Sequence, residues 1–429
     1  MANKFNPSQI SAAFAAKWPG ECPFIMNTNR QLDKNFRAGN GATMNINVPP
    51  YAEVTTGPAL PANLDYTSGV RALTLHQYKV GFEGTLPERD LDLVDYTEEV
   101  IKPYAQSLAS QVEELALKDS MAVANQAVVV NAVRSGSRIS GLAEVQKLRR
   151  SVNMIRANRS LGARFGQINP LMLDEVTDVR ERFLPPDIAR SMWVDAEIGA
   201  MGGAKWLANA NCAPHVAGTL ADALEDDGTN KRVFTVDATL AEGATALTIA
   251  VDSSGTGTLV EGETVKKGDV FYVDGCYTVD IFGKAGNAPK AFTVIEDYTV
   301  TSADETAGKF TVKIAPVYTN DEANGGSKAL CNVSALPAAG AMVKKLFSAE
   351  KSYATGLVYD RDSVFVGQAK LLEMAGTESW AEAQAPNGLM VRFYEGPDIR
   401  GGVVVSRWDT MIGWQTARTQ WSTALYLEL

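Results

Sequence analysis

The sequence predicts an α+β fold with a separate all-β domain inserted into it. Residues 86–220 combine long amphipathic helical patterns with strand patterns, and strand patterns return after residue 346. Between them, residues 221–345 are rich in Thr, Val, Gly, Asp and Ala. Short β-branched runs separated by Gly, Asp and Asn are typical of a small sandwich or barrel, so this region is predicted to be the inserted domain.

Length and charge narrow the class of protein. The chain has 429 residues and a net charge of -10. Single cores seldom exceed about 250 to 300 residues, so two or three domains are expected. The acidic balance argues against a dedicated nucleic-acid binder, which would cluster Lys and Arg. No apolar run reaches the roughly 18 residues of a membrane span, and the polar first residues do not resemble a signal peptide.

Residues 1–42 are predicted to be an N-terminal arm. They are rich in Asn, Ala and Gly and contain only short apolar runs. Phe5, Ile10, Phe14 and Trp18 are spaced four or five residues apart, which places them on one face of a short helix. We expect this face to pack on the arm's own subunit or, in an assembly, on a neighbour.

Residues 43–85 predict a long β-hairpin. Apolar alternation marks strands at residues 44–48 and 73–82, and in the second strand the apolar phase shifts between Leu75 and Tyr78. The intervening residues 49–69 contain four prolines. Loops of this length tend to be interaction elements, so we expect the tip to act between molecules.

A long helix is predicted after Pro103, because proline is well tolerated at the first position of a helix. Residues 90–101 are expected to form a short helical lead-in, and the absence of Gly carries the long helix to about Asn125. The expected buried stripe is Tyr104, Leu108, Val112 and Leu115. The expected solvent side carries Glu113, Glu114 and Lys118.

Further elements follow from the same periodicities. A second helix is predicted over residues 139–158, a buried strand over 164–168, and a third helix from Asn169 to a stop before Pro185. The β-domain contains six strand candidates: residues 232–236, 246–251, 269–273, 291–294, 309–315 and 342–343. Later candidates are residues 353–359, 363–366, 389–394, 403–408, 410–414 and 424–427.

The residue types that catalysis needs have little supporting context. His76 and His215 are the only histidines, so a Ser-His-Asp or Cys-His mechanism would require one of them. His76 lies within a predicted strand and His215 follows a proline in an Ala-rich connection. We expect both to be surface or packing residues.

No metal or cofactor site is expected either. Phosphate-cradle, dinucleotide, zinc-protease and hydrolase-elbow motifs do not occur. The carboxylates Asp174, Glu175 and Asp178 share a predicted helix with arginines, which indicates a solvated face. The cysteines lack the CxxC spacing of zinc sites, and we expect a reduced compartment without disulfides. They are Cys22, Cys212, Cys276 and Cys331. The sequence therefore predicts a protein that is not an enzyme.

Three stretches carry a resemblance to a known family. Residues 101–117 read IKPYAQSLASQVEELAL, residues 265–273 read VKKGDVFYV, and residues 407–411 read RWDTM. In this order and spacing they resemble the major capsid (coat) proteins of tailed bacteriophages, which have the Hong Kong 97 fold. The resemblance is closest to the short-tailed-phage coat proteins that carry an inserted β-barrel domain.

The resemblance implies a division of the chain into seven segments. These are the N-terminal arm (1–42), extended loop (43–85), peripheral domain with spine helix (86–130), axial domain (131–220), inserted β-domain (221–345), axial domain again (346–387) and peripheral return strands (388–429). In relatives the inserted domain supports subunit folding or capsid size control, and we expect the same for residues 221–345.

The resemblance also implies a function and partners. The chain would self-assemble as pentamers and hexamers into the icosahedral shell around packaged double-stranded DNA. Expected partners are other copies of the chain, a separate scaffolding protein, a portal and, as an open question, a decoration protein. DNA would be contacted weakly on the inner face, with no membrane involved. The expected location is the virion, after assembly in the host cytoplasm.

One departure and two alternatives accompany this interpretation. Some family members cross-link through a Lys on the extended loop, but residues 44–78 contain no Lys and Lys79 lies in the returning strand. Covalent cross-linking is therefore not expected.

One alternative is an encapsulin-type compartment, whose members normally lack such an insertion. The other is an enzyme or carbohydrate-binding protein with an accessory β-domain, which would need a pocket of clustered acidic or aromatic residues.

Overall fold

The computed structural model describes residues 7–17, 22–30, 42–51, 56–58, 68–84, 97–130, 141–172, 199–220, 232–252, 257–320, 328–371, 379–385, 388–398 and 403–429. The helices are α1 (Pro7–Lys17), α2 (Pro23–Met26), α3 (Lys102–Ala122), α4 (Gly141–Ala157) and α5 (Ser302–Ala307). The strands before the β-domain are β1 (Thr43–Val48), β2 (Gly69–Thr74), β3 (His76–Gly84), β4 (Gln126–Val129), β5 (Arg164–Ile168), β6 (Gly199–Met201), β7 (Ala204–Ala208) and β8 (His215–Val216). Those of the β-domain are β9 (Phe234–Val236), β10 (Ala246–Val251), β11 (Thr264–Val265), β12 (Val270–Val279), β13 (Ala285–Val294), β14 (Tyr298–Thr299), β15 (Lys309–Ala315) and β16 (Met342–Lys345). The remaining strands are β17 (Ser352–Asp360), β18 (Val364–Gln368), β19 (Ser379–Gln384), β20 (Met390–Asp398), β21 (Val403–Thr416) and β22 (Ser422–Glu428).

Internal contacts divide the chain into two compact units. The first unit comprises Met1–Ile46, Arg71–Leu117 and Val364–Gln415. The second comprises Asn47–Val70, Lys118–Ser363 and Thr416–Leu429. Each unit contains its own sheet and buried side chains.

The first unit is built on a five-stranded sheet centred on β21. Its order is β18-β21-β20-β19, and β3 also pairs with β21. Trp408 on β21 is fully buried, and the ring centroids of Phe14, Phe82, Tyr104 and Phe393 lie 5.2 to 6.0 Å from its own. Offset and tilted ring pairs at such distances add to the burial energy. The indole therefore joins α1, β3, α3 and β20 into one core.

The N-terminal arm packs on the first unit. Helix α1 contacts β19 and β20, and Ile10 and Phe14 are buried as predicted. Phe5 and Trp18, the other two members of the predicted face, lie outside the described residues.

The predicted second strand of the hairpin is two strands with different partners. β2 pairs with β1, whereas β3 pairs with β21. Between them, the Leu75 amide donates to the Ala42 carbonyl at 2.7 Å. The shift in apolar phase therefore marks the change of partner, because a strand that changes sheets must change the face it buries. Most of the proline-rich tip lies outside the described residues.

The buried face of α3 differs from the predicted stripe. Leu108 and Val112 are buried, but Leu115 is 41% exposed and Glu113 is fully buried. Both Glu113 oxygens accept backbone hydrogen bonds at the start of α2, from Phe24 and, at 3.2 Å, from Ile25. The prediction placed Glu113 in solvent because periodicity cannot show that a carboxylate caps a neighbouring helix. The lead-in is a π-helical turn at Thr97–Ile101, and residues 90–96 lie outside the described residues.

The second unit contains a mixed sheet covered by α4. The order is β4-β22-β17-β5-β7-β6, with β8 also paired to β17. Leu148 and Val152 of α4 face a core that includes Trp206 and Leu425. Gly166 of β5 pairs with Trp206 of the parallel strand β7, and a Cβ at Gly166 would lie 2.4 Å from the Trp206 ring. This position therefore requires glycine.

The β-domain of the second unit is a closed barrel. Its six strands are β10-β15-β13-β12-β16-β9, and each of them overlaps one of the six strand candidates in the sequence. Closure leaves no unpaired strand edge. The interior is apolar, and Phe271 stacks on Phe292 with centroids 5.5 Å apart. The short helix α5 is closed by a capping box between Thr301 and Asp304, which the sequence reading missed.

The strands after residue 346 divide differently from the expected segments 346–387 and 388–429. β17 and β22 pair with each other in the second unit, whereas β18 and β19 join β20 and β21 in the first. Nearly every residue of β17 and β22 is buried, so both need positions inside a sheet covered on two faces. The two expected strands 403–408 and 410–414 are one strand, β21.

The barrel should fold without the rest of the chain, since it has a closed ladder and its own core. A fragment of residues 218–346 keeps Leu220, which belongs to that core. We expect a cooperative thermal transition and a β-type circular dichroism spectrum. A random-coil spectrum would show that the barrel needs the mixed sheet to fold.

Glu113→Gln should destabilise the subunit far more than Glu114→Gln on the exposed side of the same helix. The first change leaves an amide hydrogen facing the start of α2, and an unsatisfied buried group costs about 1 to 3 kcal/mol. The second should cost less than about 0.5 kcal/mol. Denaturant titration of the purified protein measures both, and equal effects would contradict the capping role.

Candidate functional site

The described residues do not gather catalytic or metal-binding groups. Within the described ranges, no group of three or more His, Cys, Asp or Glu side chains could hold a metal ion. The most developed polar arrangement is instead the barrel seat, the set of contacts that Asn125, Gln126, Asp269 and Lys345 make between the barrel and the rest of the second unit.

Asn125 and Gln126 stand at the centre of the barrel seat. The backbone carbonyl of Asn125 accepts a hydrogen bond from the Ala291 amide of the barrel at 3.0 Å. The side-chain amide of Asn125 donates to the Asn332 carbonyl at 2.9 Å. Gln126 donates to Thr278 of the barrel at 3.2 Å and accepts from Thr423 of the mixed sheet at 3.1 Å. Both amides are fully buried, so their hydrogen bonds fix how barrel and sheet meet.

Asp269 organises the edge of the barrel seat. One oxygen lies 2.9 Å from His215 Nε2, and the other accepts the amides of Gly218 and Lys266 at 3.2 and 2.9 Å. The carboxylate is fully buried. A Cβ at Gly218 would lie 2.2 Å from the Thr264 carbonyl, so only glycine allows this approach.

Lys345 connects the chain segment that leaves the barrel, at the end of β16, with the segment that enters it before β9. Its ammonium donates to the carbonyls of Gly218 and Leu220 at 3.2 and 2.7 Å. Close by, the Tyr272 hydroxyl donates to the Ala127 carbonyl at 2.6 Å, and burial raises the pKa of that phenol. The two connections of the barrel are therefore held by hydrogen bonds as well as by chain continuity.

Lys290 is an ionisable group inside the barrel wall. The residue is fully buried, and its ammonium donates to the carbonyls of Ala291 and Pro316 at 3.3 and 3.2 Å. It also lies 4.0 Å from the centroid of the Tyr318 ring, within the range of a cation–π contact. Burial lowers its pKa to about 7, because the charged form loses its water.

The RWDTM stretch places groups of opposite character on the two faces of the first unit's sheet. Trp408 points into the aromatic core, whereas the buried Asp409 accepts from Arg392 at 2.6 Å, Arg407 at 2.5 Å and Gln77 at 3.0 Å. Both arginines also lie about 5 Å from the Tyr394 ring. These donors balance the charge of the Asp409 carboxylate. Aspartate can therefore lie inside this long strand, although aspartate is uncommon in strands.

The residues singled out in the sequence are not brought together. His76 is exposed on β3, and His215 lies in the barrel seat. Asp174, Glu175 and Asp178 lie outside the described residues. All four cysteines are buried, and they are not joined in disulfides. Sequence reasoning missed Asn125, Gln126 and Lys290, but Asp269 lies in the VKKGDVFYV stretch that carried the family resemblance.

Comparison with known families identifies the chain. The family model described as "P22 coat protein - gene protein 5" matches residues 78–421, well over half of the chain. The chain belongs to the P22 coat protein family. It is therefore a capsid shell protein, and the expected tailed-phage major capsid protein is confirmed. The match includes most of β3 and all of α3, the barrel and β21, and with them all three stretches that suggested the family.

Three solved structures share weak similarity with this coat protein. A Mycobacterium phage Che8 structure aligns with a TM-score of 0.42 and 9% identity, covering 93% of this chain and 89% of that one. The capsid of Cyanophage P-SCSP1u gives 0.42 and 9%, covering 94% and 86%. A virus-like particle from Pyrococcus furiosus gives 0.41 and 8%, covering 97% of both chains. No curated protein sequence matches, and no described helix is long and apolar enough to cross a membrane.

Stability of the coat protein should rise with pH above neutrality through Lys290. The unfolded lysine has a pKa near 10.5 and the folded one about 7. Between these values the unfolded chain binds more protons, so the free energy of unfolding increases with pH, by about 1.4 kcal/mol for each unit of pKa difference.

Lys290→Met should remove this increase, whereas Lys267→Met on the exposed surface should leave it in place. Denaturant titrations at pH 6.5 and 9 measure the difference. A Lys290→Met protein with the wild-type pH dependence would show that the buried ammonium is not the titrating group.

Proposed function

We propose that this coat protein assembles as pentamers and hexamers into the icosahedral shell that encloses the double-stranded DNA of a tailed phage. The observation that carries the proposal is the family match over residues 78–421. Many identical contacts can hold such a shell although each is weak, because closure makes every subunit bind several neighbours at once.

The sheets suggest how the units correspond to the parts of a Hong Kong 97 subunit. The first unit, with the 21-residue α3 entering it, fits a peripheral domain and its spine helix. The mixed sheet of the second unit fits an axial domain, and the barrel fits the inserted domain. The loop between β1 and β2 fits the extended loop. Sheet membership favours boundaries near residues 363 and 415 over the expected 387.

The remaining partners follow from the role of a container. A net charge of -10 suits a wall that holds packaged DNA weakly on its inner face and releases it. We propose a separate scaffolding protein and a portal as partners, assembly in the host cytoplasm, and a final location in the virion. The protein is proposed to have no enzymatic activity. No contact among the described residues favours the compartment, enzyme or carbohydrate-binding alternatives.

Negative-stain microscopy of the chain co-expressed with the scaffolding protein tests the function. We expect closed shells of uniform size. Soluble oligomers alone, in the presence of an active scaffolding protein, would contradict the proposal.

Deleting residues 52–67 and closing the gap with a short Gly-Ser linker, which keeps Pro49 and Tyr51, should abolish shells while leaving a folded subunit. The loop contributes contacts between subunits in this proposal, so its loss should change the melting temperature of the unassembled protein only slightly. Calorimetry and microscopy of the deletion variant measure the two effects. An unfolded subunit would instead place the loop in the protein's own core.

A further inference from the structure

The base of the extended loop is held by a stack of cations and aromatic rings. The Arg418 guanidinium donates to the Pro49 carbonyl at 2.7 Å. Its central carbon lies 4.9 Å from the centroids of both the Tyr51 and Trp421 rings. Arg418 is only 5% exposed, so the chain leaves β1 along a fixed surface of the second unit.

The stack continues into the barrel. The Tyr51 ring meets Phe282 edge-on, with centroids 6.4 Å apart. Phe282 lies in the turn between β12 and β13, and the central carbon of the Arg159 guanidinium lies 4.9 Å from the centroid of its ring. Arg159 also pairs with Asp280 at 3.0 Å. We name this set, Trp421, Arg418, Tyr51, Phe282 and Arg159, the loop-base stack.

The barrel turn is a rigid support for this stack. One Asp280 oxygen accepts the amides of Phe282 and Lys284, both at 2.9 Å. The neighbouring Ile281 is buried in the core of the mixed sheet. Because the turn is fixed to both the barrel and the sheet, Phe282 presents its ring to Tyr51 from one defined position.

The loop-base stack needs the planar shape of the Arg418 guanidinium as well as its positive charge. Burial lowers its pKa, and the charges of Tyr51 and Asp362 act more weakly in the opposite direction. The Arg418 side chain contacts one carbonyl and two rings, and stacking on the rings needs the planar guanidinium. Lysine has the same charge but cannot reproduce this geometry.

We propose that the loop-base stack makes the barrel a positioning element for the extended loop, so that the barrel turn sets the direction in which the loop leaves the subunit toward its neighbour. This inference rests on the proposed shell function. It assigns Phe282, Tyr51 and Arg418 as positioning residues for assembly, which the contacts of an isolated barrel would not suggest.

Phe282→Leu, Tyr51→Leu and the double variant test the coupling, with Tyr277→Leu as a matched control on the exposed face of β12. Initial rates of scaffold-assisted assembly should fall about fivefold in each single variant, in line with the strength of an aromatic pair. The double variant should be no slower than the singles, and the control should match wild type. A Phe282→Leu rate equal to wild type would overturn the inference.

A second readout does not depend on assembly. In the unassembled subunit, hydrogen exchange at the Tyr51 amide should be about fivefold faster in Phe282→Leu and in Arg418→Lys than in wild type. The control Arg156→Met, on the exposed face of α4, should exchange at the wild-type rate. Unchanged exchange in both variants would also overturn the inference. If wild type formed no shells while exchange changed as expected, the proposed function would fail and the positioning contact would stand.

Discussion

Two adjacent buried amides, Asn125 and Gln126, are the contact on which the second unit depends. They lie three and four residues after the end of α3 at Ala122. Their hydrogen bonds reach the barrel on one side and Thr423 of β22 on the other. A buried amide that loses one partner costs more than the bond itself contributes, because the remaining group stays dry. The hydrogen bonds of these two residues therefore fix the orientation of the barrel on the sheet, and the turn that carries Phe282 inherits that orientation.

The first unit is held together mainly by aromatic packing on one face of its sheet and by ion pairs on the other. Trp408 and Asp409 are neighbours on β21, and strand geometry sends them to opposite faces. The indole collects aromatic side chains from four elements, whereas the carboxylate collects two arginines and an amide. One short stretch thus supports both faces of the sheet, which explains why RWDTM is a recognisable part of the sequence.

Local pattern predicted the elements whose burial alternates or repeats simply. All six barrel strands were found because Thr, Val and aromatic runs stand between clear turn residues. The short strands β6 to β8 and the strand β19 were missed, because each is held by its neighbours in the sheet more than by its own composition. The face of α3 was wrong at Glu113 and Leu115, since a capping partner nearly ninety residues away leaves no local signal. Lys290 could not be found for the same reason, because only the barrel's closure makes that lysine dry.

We propose that the chain builds a shell through a loop that leaves the subunit from a fixed base. Pro49 and Tyr51 start that loop on a surface shared by the barrel turn and the Arg418 region. An electron cryo-microscopy reconstruction of the assembled shell tests this directly. We expect density for residues 52–67 on a neighbouring copy, with Tyr51 against Phe282 of its own subunit. Density for these residues folded back onto their own subunit would contradict it.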